Sequence, residues 1–235
     1  MYVSPVSTPD RTAGRQPHQL PPGRHGLSRS FVAKNQRERI LAAVADVTSA
    51  ASYPEMTVED VIVHAGVSRR TFYEHFKNKE EAFLAAYDAV LAQLFEKVSS
   101  RIEEEEGFAA RVGAGLDAFL DFLSHEPAFA RMCIIEVLAA GADAVARRNG
   151  ALRLFATLIE DNAKRLAEGE QPPPLTAETV VGGVYEVLYS RVLRGEIREL
   201  PSLLPDLTYS VLLPYLGPEA ALAERERLLQ ARHAA

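Results

Sequence analysis

"AGVSRRTFYEHFKNKEEAF", running from Ala65 to Phe83, sets Arg69, Arg70, His75, Lys77 and Lys79 among Phe72, Tyr73 and Phe76. Gly66 suits a tight turn, and Ser68 is the right residue to cap a helix that starts beside it. In that helix Phe72 and Phe76 stand one turn apart, as do Arg69 with Tyr73 and Arg70 with Glu74. The spacing predicts that the two Phe rings turn toward a core while Arg69, Arg70 and Tyr73 face outward. Asn78 then caps a further helix, with Glu81 in the capping-box position and Lys79 in its first turn.

Upstream, Ile40, Val44 and Val47 repeat at helical spacing, and Pro54 disfavours helix at Tyr53. Thr57 followed by Asp60 reads as an N-cap with an acid three residues on, so a short second helix runs from there to Gly66. Two short helices across a tight glycine turn make a helix-turn-helix, whose second helix enters the major groove of DNA. Arginine grips guanine bidentately, while Ser, Thr, Tyr and Lys reach phosphate oxygens. Lys79 and the free N–H groups of the following helix are expected to add an anion site. His75 reads equally as a phosphate contact or as the filler of a polar niche, and His64 reads as structural.

Downstream, Leu84, Tyr87, Leu91, Leu94 and Val98 form a long helical stripe that ends in the acidic run Glu103 to Glu106. Further helices are expected at 108–124, 128–139, 142–168, 176–194 and 202–216, separated by stretches rich in Gly and Pro. No alternating run flanked by hairpin turns is present, so the fold class is all-α, with about nine helices. The expected organisation is a basic disordered arm at 1–30, a three-helix DNA-binding head at 31–78, a helical body at 79–217 and a tail at 218–235. Arg15, Arg24 and Arg29 give the arm the chemistry of a minor-groove contact, with a solubilising tail as the equal alternative.

The net charge of −6 is unevenly spread. Residues 1–101 hold 13 Lys/Arg against 11 Asp/Glu, and residues 102–235 hold 13 against 21. A mildly basic front on an acidic body of −8 excludes a general DNA-coating protein and leaves the front to meet a polyanion. The lone cysteine, Cys133, rules out a disulfide within the chain; it stands in an apolar run and reads as a buried thiol. No membrane-length apolar run or secretory leader pattern appears, so a cytoplasmic location with no membrane partner is expected. His125 and Glu126 lack metal-ligand spacing, and no nucleophile elbow or phosphate loop is present; no catalytic residue, metal or cofactor is expected, and a helical enzyme is disfavoured.

At residues 37–90 the chain resembles the DNA-binding region of the tetracycline-repressor (TetR) family, most specifically in "AGVS" and "TFYEHFKNKEE". The resemblance implies a dimeric repressor on palindromic double-stranded DNA, with a variable helical body that takes a hydrophobic small molecule; an activator of the same fold is the alternative. It places Ser68, Arg69, Arg70, Thr71, Tyr73 and His75 on the recognition helix, and Thr57, Lys77 and Lys79 at backbone contacts. Two positions depart from the family pattern: Ile62 where a small residue is usual, and Arg70 where Gly is frequent.

The helices at 108–124 and 142–168 are apolar over wide arcs, and a gap between such helices makes an apolar pocket. Its expected lining is Phe119, Phe122, Leu123, Met132, Phe155, Ile159 and Tyr185, with Asn162 or Glu136 as polar anchors. The last two expected helices match the family's homodimer interface, through Val180, Val181, Gly182, Gly183, Val184, Leu188, Leu204 and Leu212. A single helix-turn-helix makes few base contacts, so a symmetric dimer on a palindrome follows on physical grounds as well.

Overall fold

The computed structural model describes residues 29–164, 166 and 172–234. The arm expected at 1–30 therefore lies outside the described residues up to position 28, and Arg29 already opens the first helix. Three helices build the head: α1 (Arg29–Ala51), α2 (Val58–Ala65) and α3 (Arg69–His75). Six follow: α4 (Lys79–Glu103), α5 (Phe108–His125), α6 (Pro127–Ile134), α7 (Ala142–Ala163), α8 (Thr176–Leu193) and α9 (Leu204–Ala234). Among the described residues there is no strand, and no helix is long and apolar enough to cross a membrane.

Local chemistry sets the head. The Thr57 side chain accepts the Asp60 N–H while the Asp60 carboxylate accepts the Thr57 N–H, a complete capping box for α2. The Thr57 hydroxyl and the Thr57 N–H both donate to the Asp60 carboxylate, at 2.6 and 3.0 Å, and hold that carboxyl below its ordinary range. Gly66 ends α2 at φ 60°, ψ 41°, and its N–H and that of Val67 return to the Ile62 and Val63 carbonyls. A side chain there would strain the left-handed turn that aims α3. Ser68 caps α3 by accepting the Thr71 N–H, and Asn78 caps α4 by accepting that of Glu81.

Ile40, Val44, Met56, Val61, Phe72, Phe76 and Phe83 close the head's core, which continues without a break through Tyr87, Val90 and Leu94 of α4 into the body. Head and body therefore share one apolar interior. Ile62 is buried within it.

Three boundaries differ from the sequence expectation. The helix expected at 128–139 ends as α6 at Ile134 and tightens into a 3-10 turn, Glu136–Leu138, which swings Glu136 back toward the head. The helix expected to reach 168 stops at Ala163. A second 3-10 turn, Ile197–Leu203, leads into α9, which does not end at 216: it bends at Gly217 (φ 77°) and runs on to Ala234. Residues 218–234, expected as a tail, are thus helical, with Ala221 and Leu228 buried in the body. The physical reason is that Pro218 stands at the first position of the resumed helix, where proline starts a helix rather than stopping one.

Candidate nucleic-acid interface and apolar cavity

Phe72 and Phe76 are buried with ring centroids 5.9 Å apart, and the Tyr73 ring meets Phe72 edge-on at 5.4 Å while staying 48% exposed. α3 is thus fixed from behind and open in front. Arg69 and Arg70 are exposed on that open side. Arg70 pairs with Glu74 at 2.9 Å, an exposed contact worth little that a phosphate can replace. Arg69 has no ion-pair or hydrogen-bond partner among the described residues. Ser68 and Thr71 share a hydroxyl contact of 2.8 Å, Lys77 is exposed, and His75 is half-buried beside Phe76. His64 meets Asp46 at 3.0 Å, joining α2 to α1.

Lys79 does not stand where the phosphate reading wants it. Its Nζ donates to the Tyr53, Pro54 and Met56 carbonyls at 3.1, 3.1 and 2.9 Å and lies 4.8 Å from the centre of the Tyr53 ring. All three of its protons are used on the α1–α2 loop, so it joins the start of α4 to that loop. Glu80 and Glu81 in the same first turn further weaken the anion site expected there. Two arginines that sequence reasoning passed over complete the head: Arg39 donates to the Ala65 and Gly66 carbonyls, and Arg37 lies over the Phe76 ring at 5.5 Å. The basic run 34–39 is the only trace of them in the sequence.

In the body, α4, α5, α7 and α8 enclose an almost wholly apolar cavity of about 140 Å³. Phe119, Leu123, Phe155, Ile159, Asn162 and Tyr185 line it, as expected from the sequence. Three expected residues do not. Phe122 is turned against Phe129 and beneath Lys97; Met132 is packed in the core; and Glu136 is only 3% exposed on the far side of α6. The Glu136 carboxylate accepts the Tyr53 N–H at 2.9 Å and pairs with Arg131 at 3.2 Å, binding body to head. The α4 wall, Tyr87, Leu91, Leu94, Val98 and Ile102, was not anticipated, nor were Cys133, Arg111 and Arg148. Burial pushes the Cys133 thiol up to about 12 and raises the Tyr87 phenol. Tyr185 donates its hydroxyl to the Ile134 carbonyl at 2.8 Å.

The expected interface residues divide sharply. Val181, Leu188, Leu204 and Leu212 are buried within this one chain, and Val180, Val181, Val184 and Leu188 line the cavity. Their spacing along α8 puts them on its inward face. Gly182 and Gly183 stand on the outward face, with open space where a side chain would be. Val187 and Leu213 are exposed.

A family model of bacterial regulatory proteins of the tetR family matches residues 40–86, the span from α1 to α4 just described. Over that span the chain is similar to the TetR family. Among curated relatives it is 26% identical over 115 residues to the HTH-type transcriptional activator FasR of Mycolicibacterium smegmatis, covering 49% of this chain and 52% of that one. It is 24% identical over 177 residues to the nucleoid occlusion factor SlmA of Idiomarina loihiensis, covering 72% and 89%. The chain thus spans about half the length of FasR. Among solved structures, the fatty acid degradation regulator FadR of Bacillus halodurans superposes with a TM-score of 0.67 at 18% identity, covering 74% of this chain and 97% of that one. FadR of Bacillus subtilis in complex with stearoyl-CoA superposes at 0.65 and 18%, covering 77% and 98%. At such identities the likeness shows the TetR fold.

Proposed function

We propose that this TetR-family transcriptional regulator is a cytoplasmic homodimeric repressor that holds a palindromic operator and leaves it when a hydrophobic small molecule fills the body's cavity. The observation that carries the reading is the two-sided α3: Phe72 and Phe76 locked inward, with Arg69, Arg70 and Tyr73 presented outward on a capped, glycine-turned helix. Residues 31–78 act as the head and 79–234 as the effector and dimerisation body. Base contacts come from Arg69, Arg70 and Tyr73, and phosphate contacts from Thr57, Ser68, Thr71, His75 and Lys77, with Lys79 holding the loop that positions them.

Dimerisation uses the outer face of α8 and α9. Gly182 and Gly183 let a partner helix approach closely, and Val187 and Leu213 supply apolar contact. The effector acts by preferring the conformation whose two heads no longer match successive major grooves. Two links connect cavity to head. One is α4, whose outer turns wall the cavity and whose first turn carries Lys79. The other runs from Ile134 in the cavity wall to Glu136, two residues on, which holds the Tyr53 N–H. The stearoyl-CoA complex of Bacillus subtilis FadR supports an apolar ligand for a body of this shape.

A second reading is favoured by the likeness to FasR, which is named an activator. A reporter driven by DNA upstream of the chain's own gene separates the two. Deleting the protein raises expression if it represses and lowers it if it activates. Unchanged expression, together with no shift of any duplex in low salt, would overturn both.

A further inference from the structure

Arg147 and Arg148 are neighbours on α7 with opposite situations. Arg147 is paired with Asp88 at 2.9 Å. Arg148 lines the cavity and meets no carboxylate among the described residues. Its guanidinium lies 3.9 Å from the Tyr185 ring centre, its Nη1 donates to Asn149 Oδ1 at 3.0 Å, and its buried Nε has no acceptor. An arginine held in apolar surroundings with neutral partners and an orphaned donor is costly unless an anion completes it. Stacking on Tyr185 fixes the plane of the fork, leaving it preorganised for a planar bidentate acceptor.

The cavity's shape defines the rest of such a ligand. From Arg148 to Asn162 the α7 wall runs about 21 Å at the usual helical rise, and the lining between these ends is apolar. Tyr87, Cys133 and Ile134, all buried, stand near Arg148 and Tyr185. At the opposite end Arg111 is already engaged by the Glu105 carbonyl at 2.9 Å and by Asn162 Oδ1 at 3.4 Å.

We propose that the effector is an amphipathic carboxylate: a long apolar chain laid along the cavity, with its carboxylate on Arg148 at the head-proximal end. This rests on the cavity being the effector site. The position is consequential, because Tyr185 and Ile134 lie beside Arg148, and Ile134 leads to Glu136 and the head.

Calorimetric titration of the full chain with submicellar dodecanoate, its methyl ester and dodecanoyl-CoA tests the proposal. Dodecanoate is expected to bind at least about tenfold more tightly than the ester. Arg148→Gln is expected to abolish that preference, and Arg148→Lys to restore part of it. Equal binding of acid and ester, a preference that survives Arg148→Gln, or tightest binding of the thioester independent of Arg148 would each overturn the proposal while leaving the cavity as an effector site. Failure of all three probes to bind would overturn the effector reading along with it.

Discussion

Phe72 and Tyr73 are adjacent in the chain yet answer to different forces. Phe72 is fully buried, so Phe72→Ala is expected to cost about 3–5 kcal/mol in urea unfolding, as a deleted core ring does. Tyr73→Ala, on the open face, should stay within about 0.5 kcal/mol of the parent stability while losing specific DNA binding. Ser68→Ala, which removes the α3 cap, is expected to cost about 1 kcal/mol. Cys133 adds a pH dependence. Burial pushes its thiol from the ordinary thiol range up to about 12, so its contribution is fully present below the ordinary thiol range and is lost as pH rises toward about 12. Tyr87, raised by burial, acts in the same direction. Urea midpoints measured across that alkaline window should fall, and Cys133→Ala should fall less steeply. The opposite faces of α3 are legible in the sequence because a four-residue spacing is a local property. The role of Lys79 is not, because its acceptors Tyr53, Pro54 and Met56 stand more than twenty residues away and meet it only once the head has folded.

The 3-10 turn after α6 carries a buried carboxylate that a regular helix through 139 would have aimed elsewhere. Glu136→Ala would leave Arg131, whose Nε already lacks an acceptor, without its counter-charge, and would leave the Tyr53 N–H unpaired. Arg131 is about one third exposed, so water screens part of the lost pairing and the cost is expected at about 1–3 kcal/mol, read as a lower urea midpoint; a midpoint equal to the parent's would remove Glu136 as a link between body and head. Periodicity places α4, α5, α7 and α8 well because each buries a wide apolar face. It fails where a helix tightens, as at Ile135, or resumes, as after Gly217, because both depend on what the next turn packs against. For the same reason the α5 and α7 sides of the cavity could be read from their apolar arcs. The α4 residues show in the sequence only as a long helical stripe, and Arg111 and Arg148 belong to no motif that would mark them as cavity lining.

Across the whole molecule, an acidic body behind a mildly basic front is expected to confine polyanion contact to the head end. Attraction to DNA should fall steeply with salt, and each phosphate contact removed should lower the salt slope by about 1. The outer face of α8 and α9 is expected to hold two copies together. Val187→Glu combined with Leu213→Glu should convert a dimer into a folded monomer by light scattering behind size exclusion, with circular dichroism unchanged. A dimer that persists in the double variant would place the interface elsewhere. Of the residues the sequence suggests on these two helices, Gly182 and Gly183 face outward and the apolar ones face inward, since apolar character alone does not separate a cavity wall from a partner surface.

The most direct test is fluorescence anisotropy of labelled DNA from upstream of the chain's own gene, titrated with the parent, Arg69→Ala and Tyr73→Ala at equal salt. The parent should bind one site more tightly than scrambled duplex, and each variant, folded as the parent is, should lose about tenfold or more of that specific affinity. Variants that bind the site as tightly as the parent would show that α3 is not the surface that reads DNA.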